Sequence, residues 1–174
     1  LPRGSAVLIQ KPMGEDLAGA RAIVTICHDL GLVAAMNFQL RFSPNVLALC
    51  DLVASKQLGD IVDIEVRLVV KQPWHLWTFL EGAPRLEILY HSIHYLDTIR
   101  ALAGEPRGVY CRAVAHPAMP RLLDTRSTVI LDYGDAVRCS LLLNHVHQQD
   151  STHCASFLKI EGTRGAAHLT MGVN

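Results

Sequence analysis

The segment Arg85-Leu-Glu-Ile-Leu-Tyr-His-Ser-Ile-His-Tyr-Leu-Asp-Thr-Ile-Arg100 predicts a helix around which the rest of the chain is arranged. Apolar residues recur at helical spacing and would form its packing face, namely Leu86, Leu89, Ile93, Leu96, Ile99 and Leu102. His91, His94 and Asp97 follow at three-residue steps, so their side chains would share roughly one side. They could exchange protons near neutral pH, or simply hydrogen-bond to neighbours in a partly buried helix. The pattern alone leaves both interpretations open.

The residues before this helix begin with α/β structure. Ala6–Gln10 is typical of a short buried strand, which Pro12 ends. A helical pattern over residues 15–31 and a second strand over residues 32–38 complete a strand, helix, strand unit. Such a unit is typical of a parallel sheet, so the sequence predicts α/β structure up to about residue 42.

The remainder predicts a different architecture. A helix over residues 45–56 and a half-buried strand over residues 61–70 lead to the central helix. Strands are predicted after it, over residues 109–115, 126–133, 136–146, 156–161 and 165–170. Turn signals at Tyr133-Gly-Asp135 and Gly162-Thr-Arg-Gly165 indicate hairpins. The expected fold class is therefore α/β followed by α+β, with a mostly antiparallel open sheet that carries helices on one face.

Composition excludes several classes of function. The 174 residues include 16 Lys plus Arg, 16 Asp plus Glu, and 6% aromatic residues. The equal numbers of basic and acidic residues do not indicate a basic surface for nucleic acid or for an anionic membrane. No apolar run approaches the roughly 20 residues of a membrane span. Five scattered cysteines without a CxxC pair favour free thiols in a reducing cytoplasm over a disulfide framework or a zinc site.

A series of short motifs runs along nearly the whole chain. In order they are Gln10-Lys-Pro12, Asn37-Phe-Gln-Leu-Arg-Phe-Ser-Pro44, Leu58-Gly-Asp-Ile-Val62, His94-Tyr-Leu-Asp97 with Gly104-Glu-Pro106, and Glu161-Gly-Thr-Arg-Gly165. Each motif alone is weak. In this order and spacing they resemble the Gfo/Idh/MocA family of NAD(P)-dependent oxidoreductases, named after glucose–fructose oxidoreductase and inositol dehydrogenase.

The resemblance implies a domain organisation and an activity. Residues 1–42 would be the C-terminal part of a Rossmann domain, whose glycine-rich fingerprint would lie upstream of Leu1. Residues 43–174 would be an α+β domain for substrate binding and oligomerisation, with an incomplete C-terminus. The implied reaction transfers a hydride between NAD or NADP and a sugar, polyol or related hydroxy compound. The implied assembly is a cytoplasmic homodimer or larger homo-oligomer formed through the open sheet face.

Three residues match the family's catalytic positions. His94 falls at the catalytic histidine and would act as the base for the hydroxyl proton, or as the acid in reduction. Lys11 matches the lysine of a Glu-Lys-Pro motif, in which Gln10 replaces the glutamate, and would polarise the substrate oxygen beside the nicotinamide. Asp97 would orient the site. Without the resemblance, these residues could be a core histidine, an exposed lysine at a strand end, and a carboxylate on a helix surface.

Two further residues are candidates on the cofactor side. Pro12 would fix the backbone beside the nicotinamide, and a cis peptide bond is one way to do so. Arg41 could bind an anionic group, or it could close the junction between the two domains.

One position departs from the family pattern. Many members carry an aspartate four residues before the histidine, where this chain has Tyr90. A tyrosine cannot act as a carboxylate, although its hydroxyl can donate a hydrogen bond. His91 or Glu87 could take over the role, and Ser92 replaces a glycine of the family. Substrate identity is therefore expected to differ from that of other members.

Loop and strand-end residues complete the substrate candidates. Trp74 and Trp77, with His75 between them, could stack on a sugar ring or could plug the loop by packing. His145 and His147 would lie on one face of a strand end, where they could reach a substrate or a metal, or could remain exposed. The histidines leave a metal enzyme as an alternative hypothesis, and Tyr90 with the missing glycine-rich fingerprint leaves a non-catalytic ligand-binding or dimerising relative as another.

Overall fold

The computed structural model describes residues 1–149 and 151–172. The chain begins with β1 (Ala6–Ile9), α1 (Leu17–Asp29) and β2 (Val33–Met36). The two strands are parallel neighbours in a two-stranded sheet of their own. Asp16 caps α1, because its Oδ1 accepts a hydrogen bond from the Gly19 amide at 2.7 Å. The predicted strand, helix, strand unit is therefore present, but the expectation that its first strand is buried is wrong, because the residues of β1 alternate between exposed and half-buried.

A six-stranded sheet forms the second part of the fold. Its strands and the two helices that accompany them are α2 (Pro44–Ala54), β3 (Ile61–Val69), α3 (Ile93–Ala103), β4 (Gly108–Val114), β5 (Arg126–Asp132), β6 (Arg138–Asn144), β7 (Ala155–Gly162) and β8 (Ala166–Thr170). The strand order is β4-β5-β6-β3-β7-β8, and only the β3–β6 pair of these neighbours is parallel. The prediction of a mostly antiparallel sheet is confirmed.

Alternation along the strands creates one buried and one open face. Ile64 and Val66 of β3 and Leu141 of β6 are fully buried, in one cluster with apolar residues of α2 and α3. On the opposite face Ile130 and Leu142 remain 48% and 44% exposed. Both helices thus pack on the same side of the sheet.

The central helix differs from its prediction. The predicted helix over residues 85–100 is confirmed as helical structure over residues 86–103, but Ile88–Ser92 form a π-helical turn within it, which the sequence pattern did not predict. The Ile93 amide donates to the Ile88 carbonyl five residues earlier, which widens the helix locally. The π turn changes the angular spacing of the side chains that follow it.

A buried side-chain bond accompanies this π turn. The Ser92 hydroxyl donates to Glu87 Oε1 at 2.6 Å, also across five residues. Neighbouring side chains on an α-helix are three or four residues apart, so the wider turn suits this contact. Both residues are fully buried, and the bond therefore helps to hold the local geometry.

None of the helices in the part of the chain that the structure describes is long and apolar enough to span a membrane.

Candidate active site

A cavity of about 540 Å³ lies where the first sheet meets the π turn and the ends of β3 and β6. Its volume is within the range of pockets that hold small organic molecules. Polar and aromatic side chains line it together with a few apolar ones, and they include Lys11, Gln39, Gln72, Trp77, Tyr90, His91, His94, Tyr95 and His145. The structure thus brings most of the predicted site residues to one place.

Lys11 joins the first sheet to the π turn. It follows the end of β1, and its peptide bond to Pro12 is cis. Its ammonium group donates a hydrogen bond to the backbone carbonyl of Tyr90. Burial lowers the pKa of Lys11, because a less hydrated environment disfavours the charged form. Tyr90 therefore contributes a backbone oxygen that orients this lysine.

His94 lies on the first turn of α3 and faces the same cavity. Its Nδ1 is buried and has no hydrogen-bond partner among the described residues. Burial, and then the positive charge of Lys11, lower the pKa of His94 to about 4, while Asp97 acts in the opposite direction. The imidazole is therefore neutral at pH 7 and able to accept a proton.

His91 lies within the π turn between two aromatic neighbours. Its ring centroid is 4.1 Å from that of His145, and the edge-to-face contact with Trp74 has a centroid distance of 5.3 Å. Burial lowers the pKa of His91 well below 6.5, and the charges of His145, Lys11 and His94 act in the same direction. The neutral form of His91 is thus strongly favoured.

Glu87 and His145 form a buried pair that the sequence pattern did not predict. His145 Nδ1 lies 2.6 Å from Glu87 Oε2, and the two side chains are only 2% and 0% exposed. The backbone amide of Glu87 is itself bound by Asp124 Oδ1 at 2.6 Å. The available signal was the spacing of Glu87, which lies four residues before His91 and therefore on the same side of the predicted helix.

Trp74 and Trp77 occupy different environments. Trp77 lines the cavity, whereas Trp74 is 7% exposed and donates its indole N–H to the His145 carbonyl at 2.9 Å. Trp74 also contacts Trp77 edge to face, at a centroid distance of 5.9 Å. Trp74 therefore supports the wall of the cavity by packing, and Trp77 is available to a ligand.

Asp97 and Arg41 lie together, and neither is among the residues that line the cavity. Arg41 Nε donates to Asp97 Oδ2 at 2.9 Å and Nη2 to Oδ1 at 2.5 Å. The arginine belongs to a short 3-10 turn after β2, and the aspartate to α3. Their contact joins the turn after β2 to α3, while the predicted roles of the two residues in cofactor binding and catalysis stay predictions.

The described residues contain no group of three or more His, Cys, Asp or Glu side chains that could hold a metal ion. His147, the neighbour of His145 in the sequence pattern, is not among the residues that line the cavity, and its buried Nε2 has no hydrogen-bond partner among residues 1–149 and 151–172.

Sequence comparisons relate this chain to known oxidoreductases. The family model described as the GFO/IDH/MocA C-terminal domain matches residues 46–168. Trans-1,2-dihydrobenzene-1,2-diol dehydrogenase of Sus scrofa is 27% identical over 172 residues, which cover 97% of this chain and 49% of that protein. The uncharacterized oxidoreductase YhhX of Escherichia coli (strain K12) is 28% identical over 138 residues, or 78% of this chain and 39% of that protein. The chain spans about half the length of the first of these relatives, and a smaller share of the second.

Solved structures with low sequence identity share the fold. An oxidoreductase from Agrobacterium radiobacter in complex with NAD+, L-tartaric acid and magnesium has a TM-score of 0.82 at 19% identity, over 95% of this chain and 48% of that one. An inositol dehydrogenase homolog from Azotobacter vinelandii, complexed with NADH and myo-inositol, has a TM-score of 0.80 at 14% identity, over 95% and 44%.

Proposed function

The chain belongs to the GFO/IDH/MocA family, and on that premise we propose that it is part of an oxidoreductase that transfers a hydride between NAD or NADP and a sugar, polyol or related hydroxy compound. The observation that carries the proposal is the convergence of Lys11 and His94 on one cavity, although they are far apart in the sequence. The names of the relatives support the reaction class, since they are dehydrogenases and oxidoreductases. Small hydroxy compounds are bound in two of the structural neighbours.

Lys11 and His94 divide the chemistry of the reacting hydroxyl group. Neutral His94 accepts the hydroxyl proton in oxidation and returns it in reduction. The Lys11 ammonium stabilises the negative charge that develops on the same oxygen, and the surrounding protein strengthens this interaction by excluding water. The hydrogen bond from Lys11 to Tyr90 orients the ammonium before the substrate enters. Tyr90, His91, Trp77 and His145 contact the remainder of the substrate.

The residues at the first sheet fit the nicotinamide end of the cofactor. The fit rests on the partly buried Lys11 ammonium and on the unpartnered Nδ1 of His94, two residues that line the same cavity. Lys11 and Pro12 would hold this end. Arg41 would act indirectly, because its bond to Asp97 holds α3, the helix that carries His94. When bound, NAD(P) supplies the hydride acceptor or donor.

The domain organisation and assembly are part of the same proposal. Residues 1–42 are the C-terminal part of a Rossmann domain, which the parallel pair of β1 and β2 supports. Residues 43–174 form the substrate-binding and oligomerisation domain. The exposed Tyr110, Ile130 and Leu142 on the open sheet face support association of like subunits there. Free cysteines support a reducing compartment, the cytoplasm.

The test is turnover of NAD(P)H by the natural full-length protein that carries this chain, with a panel of sugars, inositols and vicinal diols. Lys11→Met and His94→Ala should each lower kcat/KM by about 100-fold or more, since both act on the reacting oxygen. Lys56→Met is the matched control, because the Lys56 side chain is 68% exposed and pairs with Asp60 on the surface. Activity that survives both site variants would contradict the proposed mechanism.

A non-catalytic ligand-binding relative is the second candidate function, and Tyr90 in place of the family's aspartate favours it. The same assay separates the two. Binding of NAD(P)H and a polyol without turnover in the wild-type protein would select the non-catalytic alternative.

A further inference from the structure

His145 is held in place by a ring contact, a side-chain hydrogen bond and a backbone hydrogen bond. Its ring lies against His91 at a centroid distance of 4.1 Å, and its Nδ1 meets Glu87 Oε2 at 2.6 Å. Its backbone carbonyl accepts the indole N–H of Trp74 at 2.9 Å. Two contacts from the helical segment that holds Glu87 and His91 therefore fix the orientation of the imidazole, and the contact from Trp74 holds the backbone of His145.

Glu87 is bonded at both carboxylate oxygens. Oε1 accepts the Ser92 hydroxyl, and Oε2 accepts Nδ1–H of His145. Since a carboxylate acts as an acceptor, the second contact places a hydrogen on Nδ1 and leaves Nε2 as the free ring nitrogen. Nε2 forms no hydrogen bond with any residue in the described ranges 1–149 and 151–172, yet His145 lines the cavity.

This environment matches the way proteins orient histidines that contact ligands. A carboxylate on one nitrogen fixes the tautomer and ring plane, and the other nitrogen faces the ligand. The neutral His91 stacked beside it adds no positive charge of its own.

We infer that His145, positioned by Glu87, binds a second hydroxyl group of the substrate, so that the site selects polyols over compounds with only the reacting hydroxyl. This inference rests on the proposed function, since it concerns the same cavity. Glu87 is a positioning residue that acts through His145. Tyr90 cannot supply the carboxylate that the family resemblance places at its position. The Glu87 carboxylate takes over part of that role, because it acts on the ligand through the His145 imidazole and not by direct contact.

The kinetic test compares kcat/KM for two substrates in two variants of the natural full-length protein, in the manner of a double-mutant cycle. The polyol that the wild-type protein turns over fastest is compared with its deoxy derivatives, each of which lacks one hydroxyl. One derivative should lose about 10- to 100-fold in kcat/KM with the wild-type protein and less than about 3-fold with His145→Phe. Equal losses in both proteins for every derivative would overturn the inference. His28→Phe is the control, because its side chain is 88% exposed on α1.

His145→Phe leaves the Glu87 carboxylate buried without its partner and can lower stability. The double variant Glu87→Gln, His145→Phe removes that charge and should show the same loss of discrimination. Each comparison is a ratio between two substrates in one sample, so a misfolded fraction cancels. Glu87→Gln alone should raise KM for the polyol several-fold with little change in kcat, because a binding contact is weakened without loss of the base.

A spectroscopic test does not require turnover. In ¹⁵N-histidine NMR spectra the wild-type His145 should show one tautomer with hydrogen on Nδ1, and Glu87→Gln should show a mixture. Addition of myo-inositol should shift the His145 Nε2 resonance. A shift without turnover of any panel compound would support the inference and reject the proposed reaction. Turnover without a shift on addition of the substrate would reject the inference and retain the reaction, and the absence of both would reject both.

Discussion

Arg41 donates two hydrogen bonds to the Asp97 carboxylate, from Nε to Oδ2 at 2.9 Å and from Nη2 to Oδ1 at 2.5 Å. The two residues are 56 positions apart in the sequence. The aspartate side chain is only 9% exposed, whereas the arginine side chain is 39% exposed. The pair fastens the turn after β2 to α3, which carries His94. Its effect on the site is therefore mechanical and electrostatic, since Asp97 also raises the pKa of His94 against the stronger effect of burial.

The unequal exposure of this pair predicts unequal mutational costs. Arg41→Ala leaves a buried carboxylate uncompensated and should lower the free energy of unfolding by about 2–3 kcal/mol. Asp97→Asn leaves a half-exposed arginine that water can solvate, and should cost about 1 kcal/mol. Urea denaturation of both variants and of the double variant gives the coupling energy. A larger cost for Asp97→Asn than for Arg41→Ala would contradict this account.

The strands were predictable because their signal is local. Ile64, Val66 and Leu68 alternate with polar neighbours along β3, and this alternation directly reflects which face is buried. The order of the strands was not predictable, because the parallel contact of β3 with β6 joins residues 75 positions apart, such as Asp63 and Arg138. Hydrophobic periodicity contains no information on such pairings.

The site was predictable only in part. The resemblance to a family identified Lys11 and His94, and the structure brings both to one cavity. Helical periodicity placed His91, His94 and Asp97 on one side, but only His91 and His94 line the cavity, whereas Asp97 pairs with Arg41. The periodicity also did not predict the π turn that precedes α3. That turn accompanies tertiary contacts of Glu87, which no periodic pattern of the helix itself encodes.

The low pKa of His94 predicts the pH dependence of the proposed reaction. As the base, His94 must be neutral, and its pKa of about 4 keeps it neutral well below the ordinary value of 6.5. Protonation of His94 should therefore not lower kcat/KM for alcohol oxidation between pH 8 and about pH 5. Initial rates from pH 4 to 8 test this, with samples incubated at low pH and assayed at pH 7 as the control for unfolding. A single acidic limb near pH 6.5 that is absent from the incubated controls would exclude this assignment.

The same pKa predicts how stability changes with pH. The folded state disfavours protonation of His94 until about pH 4, whereas the unfolded chain takes up that proton near pH 6.5. As the pH falls through this window the unfolded state binds more protons, so the free energy of unfolding decreases. His94→Gln removes this contribution. Between pH 7.5 and 5 the wild-type protein should therefore lose more stability in urea than His94→Gln does, whereas His28→Gln, at an exposed site, should follow the wild type.

The open sheet face predicts a change in assembly. Leu142 is 44% exposed there and lies opposite Arg67 in the register of β3 and β6. Leu142→Glu places a carboxylate where Arg67 can pair with it, so the monomer should stay folded, but burial of the new charge opposes association. Light scattering after gel filtration should show dissociation of the proposed oligomer. Leu76→Glu, in a loop where the leucine is 65% exposed, is the control and should leave the assembly unchanged.

The charge of Lys11 can be measured through its effect on His94. Burial is the larger cause of the low pKa of His94, and the Lys11 ammonium is the second. Lys11→Met keeps an apolar chain of similar length in place, so it removes the charge and retains most of the burial. NMR titration should then find the pKa of His94 above 4 but still below 6.5, and that of His91 should rise as well, because Lys11 also lowers it. Lys56→Met should change neither. An unchanged pKa of His94 in Lys11→Met would show that the two groups do not share the electrostatic environment on which the proposed proton transfer depends.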